Sequence, residues 1–292
     1  MTPTLVRHHP RTASAPPVAP SVRARDWAEI QERMLVPLYE AVYEHLEVGP
    51  DSRVLGLRCG AGLALLMASA RGAGVTGTDT DRSRLALARE RLAPETDRAH
   101  DSDRAHADDA ERGVRLVEGG PGEAADPTLP RFTMITVFHP IGGMAGDSEG
   151  LVPMLEAAVP LAERRSAVVL TGWGPPERCA TSTVLRVASR LSERLRTDGG
   201  WRPVLRDDLE DVATRAGLKP DGSGRVACPF GYADLDSAVR GMLSTGLFDA
   251  AVRATDQAQV EKEVTEALHA HLRADGTVWM PNVFRYLIAR TP

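Results

Sequence analysis

The chain has 292 residues, a formal net charge of −5 and 42% hydrophobic residues, which suits one large α/β domain or one domain with an appended piece. The acidic balance excludes the basic surface that nucleic-acid binding needs, and no apolar run reaches the ~18 residues that span a bilayer. Cys59, Cys179 and Cys228 are odd in number and far apart, and no apolar signal core follows Met1, so reduced thiols in a cytoplasmic protein are expected.

Residues 1–25 are rich in Pro, Ala, Arg and Ser without a periodic apolar pattern, which predicts a disordered tail ahead of one domain over 26–292. Asp26-Trp27-Ala28-Glu29 has capping-box spacing. Trp27, Ile30, Met34, Leu35, Leu38, Val42 and Leu46 then recur at helical spacing, and Pro37 is expected to kink that helix or start a second one. An alternating text follows: strand 54–58, helix 61–71, strand 74–78, helix 82–92, strands 114–117 and 132–138, helix 151–161 and strand 167–171. Strands separated by single helices predict right-handed crossovers and a parallel sheet. Helices over 180–196 and 207–216, a strand near 224–228, helices around 232–245 and 247–273 and a strand at 283–289 complete the chain. Residues 94–112 break the rhythm with Asp-Arg-Ala-His written twice. This stretch reads as a low-complexity loop; His100, His106 and the acids between them lie on a segment with nothing apolar to fix ligand geometry, so no metal is expected.

Val54-Leu55-Gly56-Leu57-Arg58-Cys59-Gly60-Ala61-Gly62 joins an apolar run through a small-residue turn to a helical segment. Such a junction aims free backbone N–H groups and a helix dipole at a bound ligand. Asp79 ends the next strand, where a carboxylate can accept hydrogen bonds from ribose hydroxyls; the alternative is that it caps the helix beginning near Arg82. His139 follows a buried strand at the carboxyl end, where open α/β sheets bind ligands. It is a candidate base, or His139-Pro140 only forms the turn. Cys59 is expected to pack, and Trp27, Tyr39, Tyr43 and Trp173 either line a pocket or belong to the core. No Gly-x-Ser-x-Gly elbow or paired-cysteine spacing supports a hydrolase or a zinc site.

Several of these stretches resemble class I S-adenosylmethionine (SAM)-dependent methyltransferases of the actinobacterial small-molecule type. Val54 to Gly62 is similar to that family's first motif, V-L-D-x-G-C-G-x-G; Gly77-Thr78-Asp79 resembles its ribose-binding strand end, and Trp173-Gly174-Pro175-Pro176-Glu177 the segment after its fifth strand. Cys228-Pro229-Phe230, Leu235 to Leu243 and Asn282 to Leu287 resemble its cap and last strand. The resemblance implies a Rossmann-like α/β fold: a seven-stranded, mostly parallel sheet with a reversed last strand and a helical cap over 180–220 and 232–273. It also implies that SAM is held by Gly56, Arg58, Cys59, Gly60, Ala61, Gly62, Asp79, Thr80, Gly120 and Phe138, for methyl transfer to a small molecule.

The chain departs from that pattern at several points. Gly56 stands where the family carries an acid that helps hold the ammonium of SAM, and Arg58 replaces the first glycine of the loop. Gly119-Gly120 replaces an acid that reads adenine, and Phe132-Thr133 replaces a Phe-Asp pair. A charge-assisted hydrogen bond contributes ~1.5–3 kcal/mol, and Arg58 adds a cation beside a cationic ligand. Two readings stay open: an active methyltransferase with an unusual loop, or a degenerate one that binds SAM weakly and regulates through another ligand or a protein partner. Restoring Gly56→Asp together with Arg58→Gly is expected to raise SAM affinity.

Overall fold

The computed structural model describes residues 19–100, 113–144, 146–192 and 208–292. It opens with α1 (Pro20–Asp26), a π-helical segment (Trp27–Gln31), a 3-10 turn (Glu32–Leu35) and α2 (Val36–His45). Pro37 starts the second helix, since its ring leaves no N–H for a continuing ladder. The strands that follow are β1 (Arg53–Leu57), β2 (Gly74–Asp79), β3 (Val114–Glu118), β4 (Phe132–Ile141) and β5 (Ala162–Trp173). Between them lie α3 (Leu63–Ser69), α4 (Arg82–His100) and α5 (Leu151–Ala158). The last third supplies α6 (Ser182–Ser192), α7 (Asp208–Arg215), β6 (Lys219–Ala227), β7 (Phe230–Tyr232), α8 (Leu235–Ser244), α9 (Asp249–Ala254), α10 (Gln257–Leu268), β8 (Val278–Met280) and β9 (Val283–Arg290).

Seven strands form one sheet in the order β3-β2-β1-β4-β5-β9-β6. β1 to β5 pair in parallel, and β9 runs antiparallel between β5 and β6. Strand order reverses between β1 and β4, the place where doubly wound sheets open a crevice at their carboxyl ends. Alternate side chains of β1 enter opposite cores: Val54 joins the one containing Leu38, Leu65 and Val169, whereas Leu55 and Leu57 join the one containing Ile135, Leu155 and Leu209.

Gly56 and Gly77 are direct register partners on β1 and β2, and α3 lies against them. A Cβ at 56 would stand 2.9 Å from Leu65 Cδ2, and one at 77 would stand 2.5 Å from Leu65 Cδ1 and 2.9 Å from Cys59 Sγ. The two methyl groups of Leu65 therefore fill the space that two side chains would occupy, and Leu65 is 1% exposed. This contact draws the start of α3 down onto the sheet.

Several expectations are corrected. Residues 20–26 are helical instead of part of a disordered tail: Pro20 suits the first helical turn, Ala24 is buried, and Arg23 pairs with Asp249 at 2.8 Å. Residues 1–18 lie outside the described set. Asp26 is not a capping residue, because its backbone is helical and its carboxylate is drawn to Arg240 at 2.8 Å. Helix α4 continues through Pro94 to His100, so the expected loop is helical over 94–100; residues 101–112, with His106, lie outside the described set. The proposed cap also divides. α6, α9 and α10 pack together, with α8 against α10 and the π-helical segment, while α7 packs on β5 and β6. The reason is α7's apolar face, Leu209, Val212 and Ala213, which completes the sheet core. Residues 193–207 are not described. The β7–β8 pair forms a second, two-stranded sheet that the sequence pattern does not announce. No helix among the described residues is long and apolar enough to cross a membrane.

Gly77→Ala should destabilise the protein by about 1–3 kcal/mol, as overpacking of a filled core does. Urea unfolding of the variant would measure this, and an unchanged midpoint would contradict the Leu65 contact.

Candidate functional site at the carboxyl ends of the strands

The crevice between β1 and β4 is a pocket of about 260 Å³. Of the expected residues, Gly56, Arg58, Cys59, Gly60, Asp79, Thr80, Phe138 and His139 line it. Three do not. Ala61 is fully buried beneath the loop, Gly62 is the left-handed N-cap residue of α3 packed against Ala88, and Gly120 follows β3, where its N–H donates to Glu123 Oε2 at 2.9 Å. Larger clefts of about 560 and 660 Å³ lie in the helical cap and at the amino edge of the sheet, away from these residues.

The loop after β1 holds three left-handed residues, Arg58 (φ 51°), Gly60 (φ 59°) and Gly62 (φ 78°). Glycine adopts that region without cost, but a side chain there meets its own backbone, at roughly 1–2 kcal/mol. Asp79 holds the loop in place. Its Oδ2 accepts from Gly60 N–H and its Oδ1 from Asp81 N–H, both at 2.8 Å. The helix-capping alternative for Asp79 falls to Asp81, whose Oδ1 accepts from Ser83 and Arg84 N–H at 3.0 and 3.1 Å. Each carboxylate oxygen of Asp79 retains a lone pair for a ligand.

The segment before the sheet covers this loop. Trp27, Glu32 and Tyr39 all line the pocket. Glu32 is 2% exposed; its Oε2 accepts from Arg91 Nη1 at 2.6 Å and its Oε1 from Leu63 N–H at 3.4 Å. Burial pushes its carboxyl above the usual range while Arg91 draws it back. Arg91 also donates to the Ala61 carbonyl at 2.8 Å, so one ion pair ties the cover to the loop. Trp27 Nε1–H is buried without a hydrogen-bond partner among the described residues, and a Cβ on Gly60 would stand 3.1 Å from it. Phe138 is held by Tyr39 (ring centroids 4.7 Å) and edge-on by Tyr43 (5.6 Å).

Arg58 swings away from the loop and donates to the Glu149 carbonyl at 3.3 Å. Arg84 stacks over the Trp27 ring at 4.5 Å and donates to the Ser244 carbonyl at 2.8 Å. His139 is pushed down to about 4 by burial and by the Arg58 and Arg84 charges. Burial raises the Cys59 thiol, and its Sγ packs against Gly77, so it is a core group. Trp173 belongs to the core as well, tilted on Phe284 at 4.6 Å. Sequence reasoning missed Glu32, Arg84 and Arg91. The one available signal was an acid at position 32, between Ala28 and Leu35 on the face that repeats at Tyr39.

A scan against protein-family models finds no match, and a search of curated proteins finds none either. Solved structures do match. A methyltransferase described as putative from Bacillus halodurans is 14% identical, with 87% of this chain and 98% of that one covered and a TM-score of 0.51. A SAM-dependent methyltransferase from Geobacter sulfurreducens in complex with S-adenosyl-L-homocysteine is 16% identical, with 93% and 99% covered and a TM-score of 0.50. One from Thiobacillus denitrificans, with the same ligand, is 15% identical, with 95% and 100% covered and a TM-score of 0.50. This chain thus has the Rossmann-like fold of class I SAM-dependent methyltransferases.

Arg91→Met should cost about 3–5 kcal/mol by leaving the Glu32 carboxylate buried and unpaired. Adding Glu32→Gln to it should restore most of the loss. Urea unfolding of the single and double variants would check this; equal losses in both would refute the ion-pair account.

Proposed function

We propose that the protein is a SAM-dependent methyltransferase acting on a small molecule. The observation that supports this best is a carboxyl-end pocket in which the Asp79 carboxylate and the unpaired Trp27 Nε1–H flank the loop residue Gly60. The donor set suits SAM at the nucleoside end. Asp79 offers lone pairs to ribose hydroxyls, Phe138 and Tyr39 offer aromatic faces, and Trp27 offers a donor. Gly120 would lie on the adenine side, and Thr80 beside the ribose. SAM supplies an electrophilic methyl carbon on a sulfonium sulfur. The protein positions the acceptor in line and keeps water out, which is most of what such a transfer needs. His139, a neutral imidazole at pH 7, accepts the proton of the acceptor's O–H or N–H on its free ring nitrogen.

A second reading is favoured by one observation: Leu65 fills the space above Gly56, where the family pattern carries its acid. On that reading the pocket is degenerate, SAM binds weakly, and the chain regulates through another ligand or a protein partner. The same packing alters the expected rescue. A Cβ at 56 would stand 2.9 Å from Leu65 Cδ2, so Gly56→Asp requires Leu65 to shift and confounds packing with charge, and Arg58→Gly alone is the informative change. It removes a cation near the ligand and a left-handed side chain, and should tighten SAM binding by roughly 3- to 10-fold (about 0.7–1.4 kcal/mol). Calorimetry with SAM and S-adenosylhomocysteine separates the readings: low-micromolar binding supports the enzyme, and no heat with either supports the degenerate protein.

For His139, kcat/KM, which reports the free enzyme, should stay flat from neutral pH down to about pH 5 and fall toward 4, and His139→Ala should lower kcat by ~10²-fold or more. Unchanged turnover in the variant would remove the base role. Burial holds the folded imidazole at about 4 against an ordinary 6.5. Its contribution to stability is therefore complete above pH 6.5 and is lost as pH falls from 6.5 to about 4. Unfolding midpoints of the wild type and His139→Gln across that range would show it as a pH-dependent difference.

A further inference from the structure

The pocket's acids and its donors are unequally used. Glu32 is taken by Arg91 and Leu63 N–H, Asp79 by the N–H groups of Gly60 and Asp81, and Asp81 by the first turn of α4. The donors are left over. Trp27 is 8% exposed, and its Nε1–H has no acceptor among the described residues. Arg84 Nε–H is likewise buried without a hydrogen bond among the described residues, although it forms a loose ion pair with Asp81 Oδ2 at 3.5 Å. Arg58 reaches a backbone carbonyl at 3.3 Å and pairs with no carboxylate among the described residues. All three side chains line the pocket that holds His139, and both guanidinium charges act on its ring. Arg58 also lies toward the loop between β4 and α5, 3.8 Å from where a Cβ on Gly150 would stand. That is the His139 side of the pocket, away from Asp79.

Buried N–H groups seek acceptors, and a planar guanidinium matches a carboxylate or phosphate through paired hydrogen bonds. We propose that the methyl acceptor carries an anionic oxygen group, a carboxylate or a phosphate monoester, that docks beside His139 on Arg58 and Arg84, leaving Trp27 Nε1–H to the nucleoside. Calling this ligand the acceptor rests on the methyltransferase reading; the anion preference of the pocket does not. The acid is a docking handle, separate from the atom that receives the methyl group. It also serves the base: an anion between two cations and the imidazole offsets the charges that hold the ring neutral, and brings its proton affinity back toward the usual histidine range.

The test titrates the S-adenosylhomocysteine-loaded protein with benzoate, phenyl phosphate and neutral benzamide, following heat and the His139 ring resonances. The expected result is that at least one anion binds ~10-fold or more tightly than benzamide, a difference of about 1.4 kcal/mol. That anion should move the His139 titration upward. Arg58→Gln, at a half-buried position on the surface loop, should weaken the anion ~10-fold while leaving S-adenosylhomocysteine bound as tightly or more tightly. Benzamide binding as well as both anions would overturn the proposal. So would a loss of S-adenosylhomocysteine affinity in Arg58→Gln with 5′-methylthioadenosine unaffected, because the guanidinium would then serve the cofactor's own carboxylate. If S-adenosylhomocysteine does not bind the wild type, the methyltransferase reading fails. The same anion titration on the free protein then still decides the preference.

Discussion

The methyl groups of Leu65 rest where side chains of Gly56 and Gly77 would be, and the rest of the site follows from that contact. Two glycines opposite one another on paired strands leave a trough one residue wide. A helix can enter it only if its side chain replaces what the strands lack, and dispersion at such close range rewards the fit. The chain between Leu57 and Leu63 then turns within five residues, with left-handed conformations at 58, 60 and 62. A side chain at 56 would have to displace the Leu65 methyl group at the edge of the pocket.

The turn so formed exposes backbone donors, and the protein satisfies them from two directions. Asp79 reaches across from the neighbouring strand to Gly60, and Glu32 reaches down from the preceding segment to Leu63. Arg91 of α4 then neutralises Glu32 and grips the loop carbonyl of Ala61. A nearly buried carboxylate is tolerable only with such a partner. The π-helical stretch Trp27–Gln31 fits this scheme, since widening the helix there turns Trp27 and Glu32 toward the same loop.

What remains facing the pocket is a set of donors and one neutral imidazole. In water the Arg58 and Arg84 charges would matter little to His139, but the half-buried crevice lowers screening and lets them act on the ring. The fold is shared with SAM-dependent methyltransferases, while the polarity of this crevice belongs to the chain itself: acids that hold the loop, and two arginines that line the pocket beside His139. Fold-level likeness does not predict that distribution, because function resides in the side chains grafted onto a fold.

The sequence by itself determined the sheet. Apolar runs at 54–58, 74–78, 132–138 and 167–171, each followed by turn residues, mark buried strands whatever surrounds them, and the glycine loop with Asp79 marks where a ligand site would open. Period and burial are local properties and survive in the text. Only the tertiary structure decided the contents of the site. Gly56 reads as a missing acid until Leu65 is seen above it, and Glu32 and Arg91 are 59 positions apart with no pattern linking them. Asp26-Trp27-Ala28-Glu29 looks like a cap until Arg240 claims Asp26, and α7 looks like part of the cap until its apolar face meets β5. Ion pairs and close packing between distant segments depend on where the chain returns in space, and periodicity does not carry that information.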